Sequence, residues 1–263
     1  MGGAMTREVV GFVLAAGLGK RLRPLTLDQP KALVPFLEVP MIYHSLSLLH
    51  SLGVKEVCIN LHYLPHLLRR ELASYCKGFF DISFSQEDHI QGTTGAYKYV
   101  EDWIGDRDVV ALNCDVIVDI DLGKLVAKHQ ASSAMVTMAV LGHPHDNESK
   151  HVWVQKEDVV AIASSQCTQN ASAHGYTGVQ VFSPEVLTFL PSGYSEMVPS
   201  YQNIILERPG SIKASVLKSL FWFDIGTPDA YRISQQEILK KPNIFGQFDK
   251  VYGQRVEMRK NCC

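Results

Sequence analysis

The chain has 263 residues, 46% of them hydrophobic and 20% charged, with a formal net charge of −2. That length is enough to bury a sizeable core, and the near-neutral balance gives no electrostatic reason to expect nucleic acid or an anionic membrane as a partner. No stretch approaches the ~20 apolar residues of a membrane span, and Met1-Gly-Gly-Ala-Met5 lacks the basic and apolar regions of a signal peptide, so a cytoplasmic protein is expected.

Residues 1–4 read as a cloning remnant ahead of a natural start at Met5. Cys58, Cys76, Cys114, Cys167, Cys262 and Cys263 show no C-x-x-C pair and no regular framework, so they are expected to be reduced thiols. His143-Pro-His145 reads as a turn.

Along the chain, residues 8–16 form an apolar run ending at Gly17, the pattern of a strand buried on both faces. Ile42, Leu46, Leu49 and Leu52 fall at helical spacing with Gly53 as the stop. A strand over 55–61, a helix over 64–75, a strand over 80–85 and a helix over 93–103 follow. The apolar strand 108–112 runs into Asn113-Cys-Asp115. A helix over 121–130 and a strand over 134–141 complete a strand–helix alternation. This alternation predicts an α/β fold, a Rossmann-like three-layer sandwich around a mostly parallel mixed sheet. Short extended pieces at 152–155, 159–163, 176–182, 212–217 and 220–223 read as a smaller antiparallel extension. A last helix is expected over about 229–240, and Pro242 onward as a tail of low periodicity. No hexapeptide repeat announces a β-helix.

The stretch LAAGLGKRLRPLTLDQPKALVPF (14–36) raises the chemical question. Its spacing fails the G-x-x-x-x-G-K-[ST] of a P-loop. A dinucleotide fingerprint needs a third glycine, where this chain has Leu22, and Arg23-Pro24 breaks any long helix starting at Gly17. What remains is a strand and an unobstructed turn whose Leu18, Gly19 and Lys20 N–H groups can face phosphate oxygens. Arg21 adds a planar fork and Lys31, stiffened by Pro30, a compact charge.

The whole string G-x-G-x-R-x-x-P-x-T…P-K-x-L-x-P resembles the signature of the sugar-1-phosphate nucleotidyltransferases. Residues 92–96 (GTTGA), Asn113-Cys-Asp115 and Trp222-Phe-Asp-Ile-Gly-Thr-Pro228 are similar to three further elements of that family, in the same order. The likeness covers about residues 8–240. It implies one nucleotidyltransferase domain over 5–241, with an NTP-binding part (8–120) and a sugar-phosphate-binding part (121–228). The short forms it resembles are N-acetylmuramate-1-phosphate uridylyltransferases and mannose- or heptose-1-phosphate guanylyltransferases.

The resemblance further implies NTP and a sugar 1-phosphate as substrates and Mg²⁺ as cofactor. Two anions must meet in this reaction, so cations and a metal are expected instead of a general base. Asp115 and Asp224 match the family's metal ligands, and each follows an apolar strand. Arg21 is expected on the β,γ-phosphates and Lys31 near the α-phosphate or the incoming sugar phosphate. Leu14, Ala15, Ala16, Gly17, Leu18, Gly19 and Lys20 are expected to line the nucleotide, with Ala15 and Ala16 offering backbone groups to the base. Glu87 matches a base-contacting position, and Gly92 is expected to admit base or ribose. Asn113, Tyr176 and Gly178 fall where the family lines the sugar pocket. Glu87 could accept from guanine N1–H and N2–H₂, whereas Gln86 could serve uracil, so both bases stay open.

The chain departs from the family in three places. Residues 163–173 (ASSQCTQNASA) contain no lysine where larger members carry Glu-Lys-Pro, and Lys150 is a candidate for the substitute cation. Cys114 stands in for a glycine and would confer sensitivity to thiol reagents, and Gln91 stands where an apolar residue is usual. Two other readings compete. A phosphocholine cytidylyltransferase of this fold would need an aromatic cage, and Trp103, Trp153 and Trp222 are scattered. A non-catalytic relative should have lost Arg21, Lys31, Asp115 or Asp224, and all four are present. The sequence carries no signal of oligomeric state.

Overall fold

The computed structural model describes residues 7–75, 78–144, 150–165 and 170–252. The remnant read at residues 1–4, as well as Cys76, His145, Cys167, Cys262 and Cys263, lies outside the described residues. The first elements are β1 (Val9–Leu14), β2 (Pro35–Phe36), β3 (Val39–Pro40), α1 (Met41–Leu52), β4 (Glu56–Leu61), α2 (Pro65–Tyr75), β5 (Asp81–Gln86), α3 (Gly92–Tyr99) and α4 (Glu101–Ile104). Then come β6 (Asp108–Asn113), β7 (Val116–Val118), α5 (Leu122–Gln130), β8 (Val136–Leu141), β9 (His151–Gln155) and β10 (Asp158–Ala163). Last are β11 (Ser172–His174), β12 (Tyr176–Phe182), α6 (Met197–Glu207), β13 (Ile212–Leu217), β14 (Trp222–Asp224), α7 (Pro228–Lys240) and α8 (Pro242–Tyr252). The expected α/β class, with a mixed sheet and helices packed on strands, is what the chain forms. Among the described residues no helix is long and apolar enough to cross a membrane.

Two compact units share the chain. One holds residues 11–90, 112–120 and 219–263; the other holds 1–10, 91–111 and 121–218. This partition cuts across a simple division near residue 120.

In the unit that begins at Gly11, β1, β4 and β5 pair in parallel, with Val13 opposite Ile59 and Leu61 opposite Gln86. The apolar runs of β1 and β4 are buried, as interior strands of a parallel sheet require, while β5 at the edge is half-exposed. The 3.6-residue period of α1 buries Ile42, Leu46 and Leu49, and Gly53 ends the helix at φ 85° with its N–H on the His50 carbonyl. β7 and β14 form an antiparallel pair in which Asp224 lies opposite Val116. Thr227 caps α7 through the Ala230 N–H (3.2 Å), with Pro228 at its first turn. The segment after Pro242, expected as a tail, is helical through Tyr252. It buries Phe248 against Phe36, His44 and Phe221, while Gln247 donates to Asp119 (2.8 Å). Ile244 and Phe248, one helical turn apart, suffice to anchor a helix whose wider pattern Gly246 obscures.

In the other unit the strand order is β11-β9-β10-β13-β8-β12-β6. β13 runs parallel to β8, whereas β12–β8, β10–β13, β10–β9 and β11–β9 are antiparallel. The pieces at 152–155, 159–163, 176–182 and 212–217 are therefore strands of this unit's sheet, whereas the piece at 220–223 falls in β14, which pairs with β7 apart from it. α5 packs on β8 and β12, and α6 on β10 and β13. Asp121 caps α5 through the Lys124 N–H (3.1 Å). The helix expected over 93–103 is two helices, α3 and α4, because the chain leaves helical geometry at Val100 (φ −111°).

Candidate active site

The nucleotide-loop residues all lie in the unit that begins at Gly11. β1 ends at Leu14, whose carbonyl accepts from the Cys114 N–H (3.2 Å). Gly17 is exposed, and a Cβ built on it would meet nothing within 4 Å. Gly19 is left-handed (φ 61°), and a Cβ there would lie 3.0 Å from Thr26 and 3.2 Å from Lys31. Its carbonyl accepts from the buried Thr26 hydroxyl at 2.8 Å, which folds the loop back on itself. Where a dinucleotide-binding protein would continue as a helix, Lys20–Leu22 makes one 3-10 turn and stops. Leu18 is half-buried, and Lys20 and Arg21 are exposed.

The acidic strand ends converge. The Ile225 N–H donates to the Asp115 carbonyl (2.9 Å), continuing the β7–β14 ladder so that Asp115 and Asp224 sit on adjacent strands. The Lys31 ammonium donates to the Asp115 carboxylate. A Cβ built on Gly226 would lie 3.0 Å from both Arg21 Nη2 and Asp224 Oδ1, so the guanidinium and the second carboxylate close on one glycine. Thus Arg21, Lys31, Asp115 and Asp224, scattered over two hundred residues, meet in one place. Asn113 is half-buried beside them, its carbonyl accepting from Ser45 (3.4 Å). Two carboxylates on paired strands suit Mg²⁺, which takes one or two and completes its shell with water and phosphate oxygens. Among the described residues no group of three or more His, Cys, Asp or Glu could hold a metal unaided.

Three expectations take a different form in the structure. The Ala15 and Ala16 N–H groups are committed to Asn60 Oδ1, at 2.7 and 3.3 Å, so only their carbonyls remain for a ligand. Glu87 is buried at 2% exposure, and its Oε1 accepts from Asn60 Nδ2 at 2.8 Å. Cys114 is buried, and its thiol is pushed up to about 12, by burial first and then by the Asp115 carboxylate, with Lys31 opposing. Such a thiol is unreactive.

Gly92, Tyr176, Gly178 and Lys150 belong to the other unit. The space beside Gly92 (φ 75°) is taken by Ser195, whose carbonyl oxygen would lie 2.4 Å from a Cβ there, and a Cβ built on Gly95 would lie 2.3 Å from the Gly193 carbonyl oxygen. The GTTGA element is thus shaped by its packing against 193–196, with Thr94 bonded to Ser195 and Ser200 at 2.9 Å each. Gly178 (φ 80°) marks a register shift in β12. Bulges of this kind re-aim neighbouring side chains. Tyr176, just before it, is half-buried, and its phenol lies well above the ordinary range through burial and the neighbouring Tyr97 and Tyr201 phenols. Lys150 is exposed.

Asn60 is the site residue that the sequence reading missed. Its signal is a lone amide in the apolar strand Val57-Cys-Ile-Asn-Leu61, buried at 2%.

The fold is that of the sugar-1-phosphate nucleotidyltransferases. A structure of a putative glucose-1-phosphate thymidylyltransferase from Bacillus anthracis matches 92% of this chain and 99% of its own, with a TM-score of 0.76 at 22% identity. The chain belongs to the Nucleotidyl transferase family, whose sequence model matches residues 10–241. Curated relatives include the mannose-1-phosphate guanylyltransferase of Mycobacterium tuberculosis, 27% identical over 86% of this chain and 63% of the relative. The mannose-1-phosphate guanyltransferase of Hypocrea jecorina is 31% identical over 83% of this chain and 61% of the relative. The chain thus spans about three fifths of the length of these relatives.

Proposed function

We propose that the protein transfers a nucleoside monophosphate from an NTP to a sugar 1-phosphate, releasing pyrophosphate, with GTP and mannose 1-phosphate as the substrates. The convergence of Lys31, Arg21, Asp115 and Asp224 carries the reading of the reaction. The names of the curated relatives carry the choice of guanine and mannose.

A sugar-phosphate oxygen must bond to the α-phosphorus as the α–β bridge breaks, so the barrier is repulsion between anions and their alignment. Arg21 binds the departing β,γ-phosphates through its fork, and Lys31 neutralises charge on the α-phosphate as it develops. The open Gly17 turn admits the triphosphate to the backbone without a side chain in the way. Asp115 and Asp224 would hold Mg²⁺, which neutralises phosphate charge when bound. Asn113, in the same unit as the acidic pair, serves the sugar.

The deciding experiment is a pyrophosphate-release matrix of four NTPs against glucose, mannose, heptose and N-acetylmuramate 1-phosphates. Release with GTP and mannose 1-phosphate is the expected result. Preference for UTP would overturn the base, and no release from any pair would overturn the reaction.

A further inference from the structure

Asn60 occupies the carboxyl end of β4, the middle strand of the parallel trio. Its backbone continues the ladder to Ser85 on β5, while the β1 ladder has ended at Val13–Ile59. Beyond that point the Asn60 side chain takes over. Oδ1 accepts from Ala15 and Ala16, the two residues that lead into the glycine turn, and Nδ2 donates to Glu87. Glu87 is itself tied back to β4 by its N–H on the Leu61 carbonyl (2.8 Å). The amide orientation is forced, because a flip would set an NH₂ against two N–H donors and an oxygen against a carboxylate.

In open α/β sheets, ligands bind beyond the carboxyl ends of the strands, which is where this bridge lies. It fixes the direction in which Ala15-Ala16-Gly17 leaves the sheet. We propose that Asn60 is a positioning residue for the NTP-binding turn, and that Glu87 orients Asn60. The proposal rests on the nucleotidyltransferase reading for its kinetic consequence, but its structural half is measurable without substrate.

The test uses Asn60→Ala, Asn60→Asp, Glu87→Gln and the double variant Asn60→Asp/Glu87→Gln in the full chain. Asn60→Ala is expected to speed amide exchange at Ala15 and Ala16 by about 10-fold or more in the ligand-free protein, as two buried N–H groups lose their acceptor. It should raise the KM for GTP about 10-fold while the KM for mannose 1-phosphate moves less than about 2-fold. Glu87→Gln keeps an acceptor for Asn60 and should cost less in KM for GTP than Asn60→Ala.

Asn60→Asp sets two carboxylates face to face and should be at least as damaging as the alanine. The double variant restores the bridge with the donor reversed, the amide now standing at position 87 and the carboxylate at position 60. It should recover most of the affinity lost in Asn60→Asp. The melting temperature, measured on all four, separates unfolding from misplacement. Unchanged exchange at Ala15 and Ala16 in Asn60→Ala overturns the proposal. So does a Glu87→Gln loss equal to that of Asn60→Ala with no recovery in the double variant, which would mean that Glu87 does not act through Asn60. A wild-type protein that releases no pyrophosphate would instead overturn the functional reading, and the exchange measurement would still decide the role of Asn60.

Discussion

The Lys31 ammonium and the Asp115 carboxylate pair with each other, with 11% and 19% of their side chains exposed. In the absence of a polyanion each neutralises the other. On the proposed function a triphosphate would offer Lys31 a second anion, and the carboxylate that had shared its cation would then be ready to share a metal. Lys31→Met and Asp115→Asn are each expected to lower turnover by about 10²–10³-fold, the scale of losing one preorganised electrostatic group. Because the two act on one another, the double variant should lose less than the product of the single losses. Initial rates of pyrophosphate release check this, and a near wild-type rate in Asp115→Asn would remove it from the site.

The same surroundings silence the thiol between Asn113 and Asp115. With Cys114 and Cys58 both pushed up to about 12, chiefly by burial, only about one part in 10⁴ is thiolate at pH 8. Native protein treated with iodoacetamide and mapped by mass spectrometry should therefore show both unmodified, and both should label fully in urea. Alkylation of native Cys114 at the rate of a free thiol would contradict its burial.

What the sequence disclosed follows from how far each signal travels. α1 and β1 are legible because their apolar periods are local. So is the start of α7, where Thr227-Pro228 carries cap and first turn in two letters. α6 is concealed by Pro199, which a helix tolerates in its first turn but which reads as a breaker. β7, three residues long, acquires meaning only by pairing with β14, a hundred residues later. The four charged site residues were legible as a motif set, yet their convergence is a property of that pairing. Asn60 was legible only as a lone amide in an apolar strand, since nothing local says that it will bridge the residues that follow two other strands.

His129 is a pH-dependent element within its own unit. It is buried at 2% exposure between the Thr137 hydroxyl (2.9 Å) and the Ser183 hydroxyl (2.8 Å). Its pKa is lowered, first by burial and then by Arg7, with Asp108 and Glu185 opposing. The folded chain thus resists a proton that the unfolded chain accepts below the ordinary imidazole value of about 6.5. The stabilisation is complete above that pH and is lost as pH falls toward and through the folded value. Urea midpoints should fall from pH 7.5 to 5, with a slope of up to about 1.4 kcal/mol per pH unit for one proton. His129→Gln should flatten that slope. An identical slope in the variant would assign the effect to another group.

The glycines separate packing from ligand approach. Gly92→Ala and Gly95→Ala place a Cβ 2.4 and 2.3 Å from the backbone carbonyls of Ser195 and Gly193, atoms that cannot swing aside, and Gly92 adds a left-handed φ of 75°. Each should destabilise the fold by about 1–3 kcal/mol through overpacking. Gly17→Ala meets open space with no left-handed backbone, so its melting temperature should stay within about 1 °C of wild type, as at a surface site. If the turn at Gly17 lies against the triphosphate, that same methyl should raise the KM for GTP about 10-fold or more, because a phosphate oxygen would need the volume it fills. Thermal melts and GTP titrations on the three variants check both halves. A Gly17→Ala protein that melts and binds GTP like wild type would place the phosphates elsewhere, and a Gly92→Ala protein of wild-type stability would reopen that position to a ligand.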